Sequence, residues 1–241
     1  MALLELDDVY AELGNVPVLR GVSIDIEEGE TVGLIGRNGA GKTTTFRTTM
    51  GMVPTASGEI RFKGEDITNE PSDARPGLGL SLAPEDRRLF ETLTVRDNLR
   101  MAAWGSMGDD YSESRFDDIV DRSTTIFPDI ENFLDRPADQ LSGGQQKMVA
   151  ISRAVSADPE LLLLDEPFEG LAPSIREKLV EGITRIKDLG VTIVLAESNV
   201  RYASKSADHF YVIERGVIEG EIPAGRDPVE DETVQRIFEG V

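Results

Sequence analysis

The sequence predicts an α/β fold with a parallel β-sheet, and three features predict it. An apolar run, TVGLIG, passes straight into a glycine-rich loop and then a helical stretch. LLLLDEP and VTIVLAES flank an amphipathic helix in the strand, helix, strand order of a parallel sheet. Between these two regions lies a block with helical spacing throughout.

Taken in order, the first 35 residues read as short strands and turns. LLELDDV is followed by VPVLRGVSIDI, where Val22, Ile24 and Ile26 alternate at the period of a half-buried strand, then by the turn Glu28-Gly29-Glu30 and the buried run TVGLIG. TTTFRTTMGM is expected to form a helix that stops before Pro54, and GEIRFKGEDI a hairpin-like pair punctuated by Gly58 and Gly64. Over residues 92–155, VRDNLRMAAW, SRFDDIVDRSTTIF and QQKMVAISRAVS carry helical spacing, the first two expected to be separated by the polar stretch 105–112. ELLLLDEP reads as a short apolar strand, REKLVEGITRIKDL as an amphipathic helix and VTIVLAES as another buried strand. DPVEDETVQRIFEGV reads as a capped terminal helix with Gly240 near its stop. There is no internal repeat and no low-complexity linker.

Composition removes several classes of function. At 241 residues, folding is expected to bury roughly 70 to 75% of the unfolded surface, and 39% hydrophobic against 29% charged residues is a globular balance. No apolar run reaches the ~18 to 20 residues of a membrane span, and MALLELDDVYAEL lacks a basic segment followed by an apolar one, so a cytoplasmic location is expected. The absence of cysteine excludes disulfides, thiolate metal sites and cysteine nucleophiles, and a single histidine leaves no histidine cluster for zinc. The net charge of −20 is spread evenly: residues 1–120 carry 22 acids and 12 bases, residues 121–241 carry 23 and 13. Such a surface repels nucleic acid and anionic lipid, so no nucleic-acid partner is expected. Nineteen arginines against six lysines beside so many acids point to a cytoplasm of very high salt, where self-repulsion is screened; an ordinary acidic protein is the alternative.

Residues 36–43, GRNGAGKT, match G-x-x-x-x-G-K-[ST] between a buried strand and a helix, the context that this phosphate-binding loop needs. Its glycines let successive N–H groups of Gly36, Arg37, Asn38, Gly39, Ala40 and Gly41 curl toward phosphate oxygens, and the helix behind adds partial positive charge. Lys42 can reach the β- and γ-phosphates, Thr43 can ligate Mg²⁺, and Thr44 follows in the same turn. The loop needs a second metal group at the end of a buried strand, and Asp165 fits, holding Mg²⁺ directly or through water. The next residue, Glu166, is placed to orient or deprotonate a water attacking the γ-phosphate.

Between these motifs stands LSGGQ at 141–145. With the phosphate loop at 36–43 and the acid-tipped strand at 161–165, the chain resembles the ATP-binding subunits of ABC transporters over essentially its whole length. The resemblance implies a P-loop NTPase cassette with a mixed β-sheet core, an antiparallel β subdomain and an α-helical insertion: one domain over 1–241, its ATPase core about 1–91 and 156–241 and its helical subdomain about 92–155. It implies ATP and Mg²⁺ as cofactors. It also implies a head-to-tail dimer in which Ser142, Gly143, Gly144 and Gln145 of one subunit close over the ATP of the other. Within the family, GRNGAGKTTT, APEDRRLFETLTVRDNL, DEPFEGLAPSI and the short C-terminal tail look most like the branched-chain amino acid uptake subunits, and secondarily like urea and amide importers. Such systems imply membrane permease subunits, whose cytoplasmic helix would dock near residues 85–100. They also imply a second ABC ATPase subunit or a copy of this chain, a solute-binding protein, and a place on the inner face of the cell membrane.

Several positions depart from the family pattern. Glu85 replaces the glutamine expected after Ala83-Pro84, keeping an oxygen for Mg²⁺ or its water while adding negative charge. Ser198 stands at the switch-histidine position, and His209 does not align with it. Leu13 stands where an adenine-stacking aromatic is expected, with Tyr10 three residues out of register, and Glu169-Gly170-Leu171-Ala172 follows the subfamily's D-loop. Besides an uptake ATPase, a soluble ABC ATPase acting as an ATP-driven clamp and a nucleotide-binding module without turnover stay open at this point.

Overall fold

The computed structural model describes residues 2–239; Gly240, expected near the stop of the last helix, lies outside the described residues. The chain runs through β1 (Ala2–Leu13), β2 (Val16–Glu27), β3 (Thr31–Ile35), α1 (Lys42–Thr49), β4 (Thr55–Phe62), β5 (Glu65–Asp66), α2 (Arg75–Leu78) and β6 (Leu80–Ala83). It continues through α3 (Val95–Met107), α4 (Glu113–Ile126), α5 (Gly143–Val155), β7 (Leu161–Asp165), α6 (Pro173–Asp188), β8 (Thr192–Glu197), α7 (Val200–Ala203), β9 (His209–Glu214), β10 (Val217–Ile222) and α8 (Glu232–Glu239). It divides into two compact units, Met1–Arg75 with Thr192–Val241, and Pro76–Val191.

In the first unit an antiparallel sheet has the order β2-β1-β4-β5. Its two leading strands, each of 12 residues, are longer than the short strands expected. They persist because a bulge absorbs the acidic pair in β1: register shifts between Leu6 and Val9, and Asp8 takes a positive φ of 49°. Apolar side chains on either side of it, Leu4, Leu6, Val9 and Ala11, stay buried. β4 and β5 form the expected hairpin, pairing Phe62 with Glu65 around Lys63-Gly64, both at positive φ. In the mixed sheet of this unit, β3 is parallel to both β8 and β9, and β10 is antiparallel to β9. The Tyr211 hydroxyl links β9 to β2 by donating to the Asp25 carbonyl at 3.0 Å, and burial pushes its pKa up to about 12.

In the second unit β6 and β7 pair in parallel from Leu80–Leu161 to Ala83–Leu164. Leu161, Leu162, Leu163 and Leu164 are all buried. Thr94 and Ser112 cap α3 and α4 by accepting from the backbone N–H of Asp97 and Arg115. The expected break at 105–112 begins later than the composition suggests. α3 runs through Gly105, whose open surroundings make it a tolerated exposed glycine, and ends at Gly108, whose φ of 51° suits a stop. Asn98, fully buried, accepts from Phe90 N–H at 2.9 Å and donates to the Phe90 and Thr94 carbonyls, binding the preceding loop to α3.

Arg75 is the largest fully buried side chain, and it closes the C-terminal end of α1. Its guanidinium donates to the carbonyls of Thr48, Thr49, Ile67, Thr68 and Glu70. Burial lowers its pKa, yet carbonyl acceptors on every side compensate the charge. Replacing it leaves those carbonyls unsatisfied in a dry cavity. Arg75→Ala is therefore expected to lower the unfolding free energy by about 3 kcal/mol or more, read from the denaturant midpoint.

Candidate functional site

β3 is buried at every position and delivers the chain directly into the phosphate loop. Gly36 N–H donates to the Glu197 carbonyl at 3.2 Å, extending the β3–β8 ladder one residue into the loop. A Cβ at Gly36 would stand 2.3 Å from the Ile213 carbonyl oxygen, and Gly41 has a φ of 118°, so neither position admits another residue without displacement. Lys42 is buried, and its ammonium donates to the carbonyls of Gly36 at 2.8 Å and Arg37 at 3.2 Å. Ala40 N–H donates to the Arg37 carbonyl, the Thr45 hydroxyl to the Gly41 carbonyl, and Gly216 N–H to the Ala40 carbonyl. The loop is thus a closed backbone cradle at the N-terminus of an eight-residue helix, and it fits a chain of phosphates. Thr43 is half-buried and Thr44 buried, both in the first turn of α1.

Two further expected positions lie in this unit. Ser198 follows the Ile35–Glu197 pair and is level with the start of the loop. Leu13, 46% exposed, pairs across the strand with Val16, 64% exposed. Val16 escapes sequence reasoning because a valine in an alternating strand reads as core. Leu19, further along the same strand as Val16, lies against Gly41. His209 stands apart from these groups in β9, its Nε2 3.1 Å from the Glu221 carboxylate.

The second unit holds the remaining candidates. Because β6 and β7 are parallel and in register, the loop Ala83-Pro84-Glu85 and the pair Asp165-Glu166 emerge from the same ends of adjacent strands. Asp165 and Glu166 are both buried, which separates them from solvated acids that merely cap a strand. Glu166 also has a φ of 43°, a costly conformation for a residue with a Cβ. The Glu169 carboxyl is held above its ordinary range, first by desolvation and then by the negative charges of Glu85 and Glu166. Among the described residues no group of three or more His, Cys, Asp or Glu side chains forms a metal cage. A P-loop magnesium site needs none, since phosphates, a hydroxyl and waters supply most of its ligands.

The signature segment opens α5. Ser142 Oγ accepts from Gln145 N–H at 3.3 Å while Gln145 Oε1 accepts from Ser142 N–H at 2.9 Å, a reciprocal capping box. Gly144 lies against Ile175 and Gly143 against the Arg87 guanidinium. Three side chains that sequence reasoning missed hold this region. Arg87 donates to Gln146 Oε1 at 2.9 Å, Arg153 donates to the carbonyls of Arg87 and Arg88, and Lys147 lies on the buried face of α5. The available signal was periodicity, because Lys147 sits on the same stripe of α5 as Ile151 and Ala154.

The family profile described as ABC transporter matches residues 19–169. The chain belongs to the ABC transporter family, as an ATP-hydrolysing cassette subunit. The cassette is 40% identical to the high-affinity branched-chain amino acid transport ATP-binding protein BraG of Pseudomonas aeruginosa, over 90% of this chain and 91% of that protein. It is 34% identical to the lipopolysaccharide export system ATP-binding protein LptB of Escherichia coli, over 92% and 91%. Its fold matches the crystal structure of a nucleotide-free ATP-binding cassette from an ABC transporter, with a TM-score of 0.83, 26% identity and 99% coverage of each chain. A cassette in its ADP conformation matches with a TM-score of 0.82, 26% identity and 100% coverage of each. No helix among the described residues is long and apolar enough to cross a membrane.

The strain at Glu166 yields a test independent of activity. Glu166→Gly relieves the positive φ and removes a buried carboxyl, so it is expected to match or exceed the wild type in thermal stability while losing turnover. Glu166→Gln keeps the strain and is expected to melt no higher than Glu166→Gly.

Proposed function

We propose that this cassette powers an ABC importer, with branched-chain amino acids as its solutes. The observation that carries the reading is the 40% identity to BraG across nine-tenths of the chain. The lipopolysaccharide-export relatives favour a second reading, a cassette serving a membrane exporter. The catalytic chemistry is the same in both; they differ in the permease engaged.

The chain is read as one cassette in which the cradle at 36–43 receives the phosphates of ATP. Lys42, now held by loop carbonyls, turns its ammonium to the β- and γ-phosphates. Thr43 and Asp165 would hold Mg²⁺, Asp165 directly or through water, with Glu85 offering a further oxygen, and the ion would supply positive charge against that of the phosphates. Glu166 accepts a proton from the attacking water. Ser142, whose capping Oγ accepts from Gln145 N–H, keeps its hydroxyl hydrogen to donate to the ATP of an opposing subunit, and Gly143, Gly144 and Gln145 bring the N-terminus of the 13-residue α5 to the same phosphate. That opposing subunit is a second ABC ATPase or a copy of this chain. Leu13, joined by Val16, makes an apolar contact with adenine in place of an aromatic stack.

The permease surface is proposed on the second unit. Phe90, Met101 and Trp104 are exposed by 49%, 40% and 60%, and Met101 and Trp104 are one helical turn apart on α3. A cytoplasmic permease helix would cover this patch and hold the cassette at the inner face of the membrane, with a solute-binding protein in the wider system. The test is a pull-down of tagged Glu166→Gln chain from detergent-solubilised native membranes with Mg-ATP. Recovery of a multi-span permease and a second ATPase is expected, and recovery of soluble partners alone contradicts the transporter reading. Trp104→Glu in the same background is expected to lose the permease while retaining Mg-ATP binding.

The acidic, lysine-poor surface further supports a high-salt cytoplasm as the working environment. Unfolding temperature is then expected to rise steadily from dilute to molar potassium chloride, and a flat or falling profile contradicts it.

A further inference from the structure

The two residues after the signature turn reach back into the loop that follows β6. Gln146 engages the Arg87 side chain, and the Lys147 ammonium donates to the carbonyls of Glu85 and Asp165, each at 3.3 Å. Further along α5, Arg153 grips the carbonyls of Arg87 and Arg88, two consecutive residues at φ 62° and 47°. Such a pair of strained residues persists only where the surroundings over-determine it. One helix therefore carries the signature turn at its start and holds, through side chains, the loop of Glu85 and the end of the strand that bears Asp165.

A neutral donor would suffice for two carbonyls. Lys147 is only 4% exposed, and burying an ammonium is costly unless carboxylates compensate it. The Lys147 ammonium sits against the backbone of Glu85 and Asp165, with the buried acids Asp165 and Glu166 at the same strand end, and these carboxylates supply that compensation. We infer that Lys147 is a positioning residue for ATP hydrolysis: a buried countercharge that fixes the carbonyls of Glu85 and Asp165 to the signature helix and offsets the negative charge that Glu85 brings to the magnesium side of the site. The inference rests on the reading of that site as a Mg-ATP site.

Charge accounting makes the test specific. Lys147→Gln keeps a donor for the carbonyls but removes the charge, leaving the carboxylates to attract a divalent cation more strongly. In equilibrium titrations with a fluorescent ATP analogue, the half-saturating Mg²⁺ concentration is expected to fall at least threefold in Lys147→Gln, and kcat to fall at least tenfold. Glu85→Gln combined with Lys147→Gln restores the wild-type charge and is expected to return the Mg²⁺ half-saturation to within twofold of wild type. A merely structural role predicts the reverse, weaker Mg²⁺ dependence without rescue by Glu85→Gln, and either of those results overturns the inference. If Lys147→Gln alone fails to fold, a folded double variant with wild-type Mg²⁺ dependence supports the countercharge, and a double variant that also fails overturns it. Wild-type protein that binds the analogue without Mg²⁺ dependence overturns the Mg-ATP reading itself, and this inference with it.

Discussion

The Lys42 ammonium lies 2.8 Å from the Gly36 carbonyl and 3.2 Å from that of Arg37, and this closure governs the geometry of the phosphate loop. It ties the start of α1 back to the entry of the loop and, with the Ala40 N–H bond to the Arg37 carbonyl, keeps the turn closed. Around it every neighbour is constrained. β3 pairs on both sides with parallel strands, Gly36 extends one of those ladders, and the β9–β10 turn accepts and donates through Gly216. Even the far end of α1 is fixed, because Arg75 takes up carbonyls that the helix leaves unsatisfied.

The second unit solves a related problem with charge instead of glycine. Parallel pairing of β6 and β7 brings the Glu85 loop and Asp165-Glu166 out at one edge, where several carboxyl groups crowd. Burial of Asp165 and Glu166 and the positive φ at Glu166 mark a place where local stability is given up for orientation. The buried Lys147 and the arginine contacts at 87–88 show where the compensation lies.

Much of this was legible in the sequence because it depends on local pattern. The strand, glycine loop and helix around Lys42 and the apolar strand ending in Asp165 are each short enough for spacing alone to specify them. What escaped depends on partners distant in the chain. Arg75, in a stretch broken by prolines, gains its role from carbonyls at Thr48 and Thr49. Lys147 looks like a surface lysine until its stripe on α5 is followed to the loop at Glu85. The full length of β1 depends on a bulge at Asp8, which an acidic pair conceals, and α3 outlasts its glycine because Gly105 is exposed and Gly108 ends the helix. The departures at Glu85 and Ser198 were visible as letters, but their level with the strand ends required the sheet register.

Family membership and a closed phosphate cradle make ATP hydrolysis the activity on which the rest of the account depends. The most direct measurement is steady-state phosphate release from Mg-ATP by wild type and Glu166→Gln, with nucleotide binding measured in parallel. The account predicts Mg²⁺-dependent turnover that falls by about a hundredfold or more in Glu166→Gln with ATP binding retained. Turnover that is unchanged in that variant would contradict the role assigned to the strained, buried carboxylate at the end of β7.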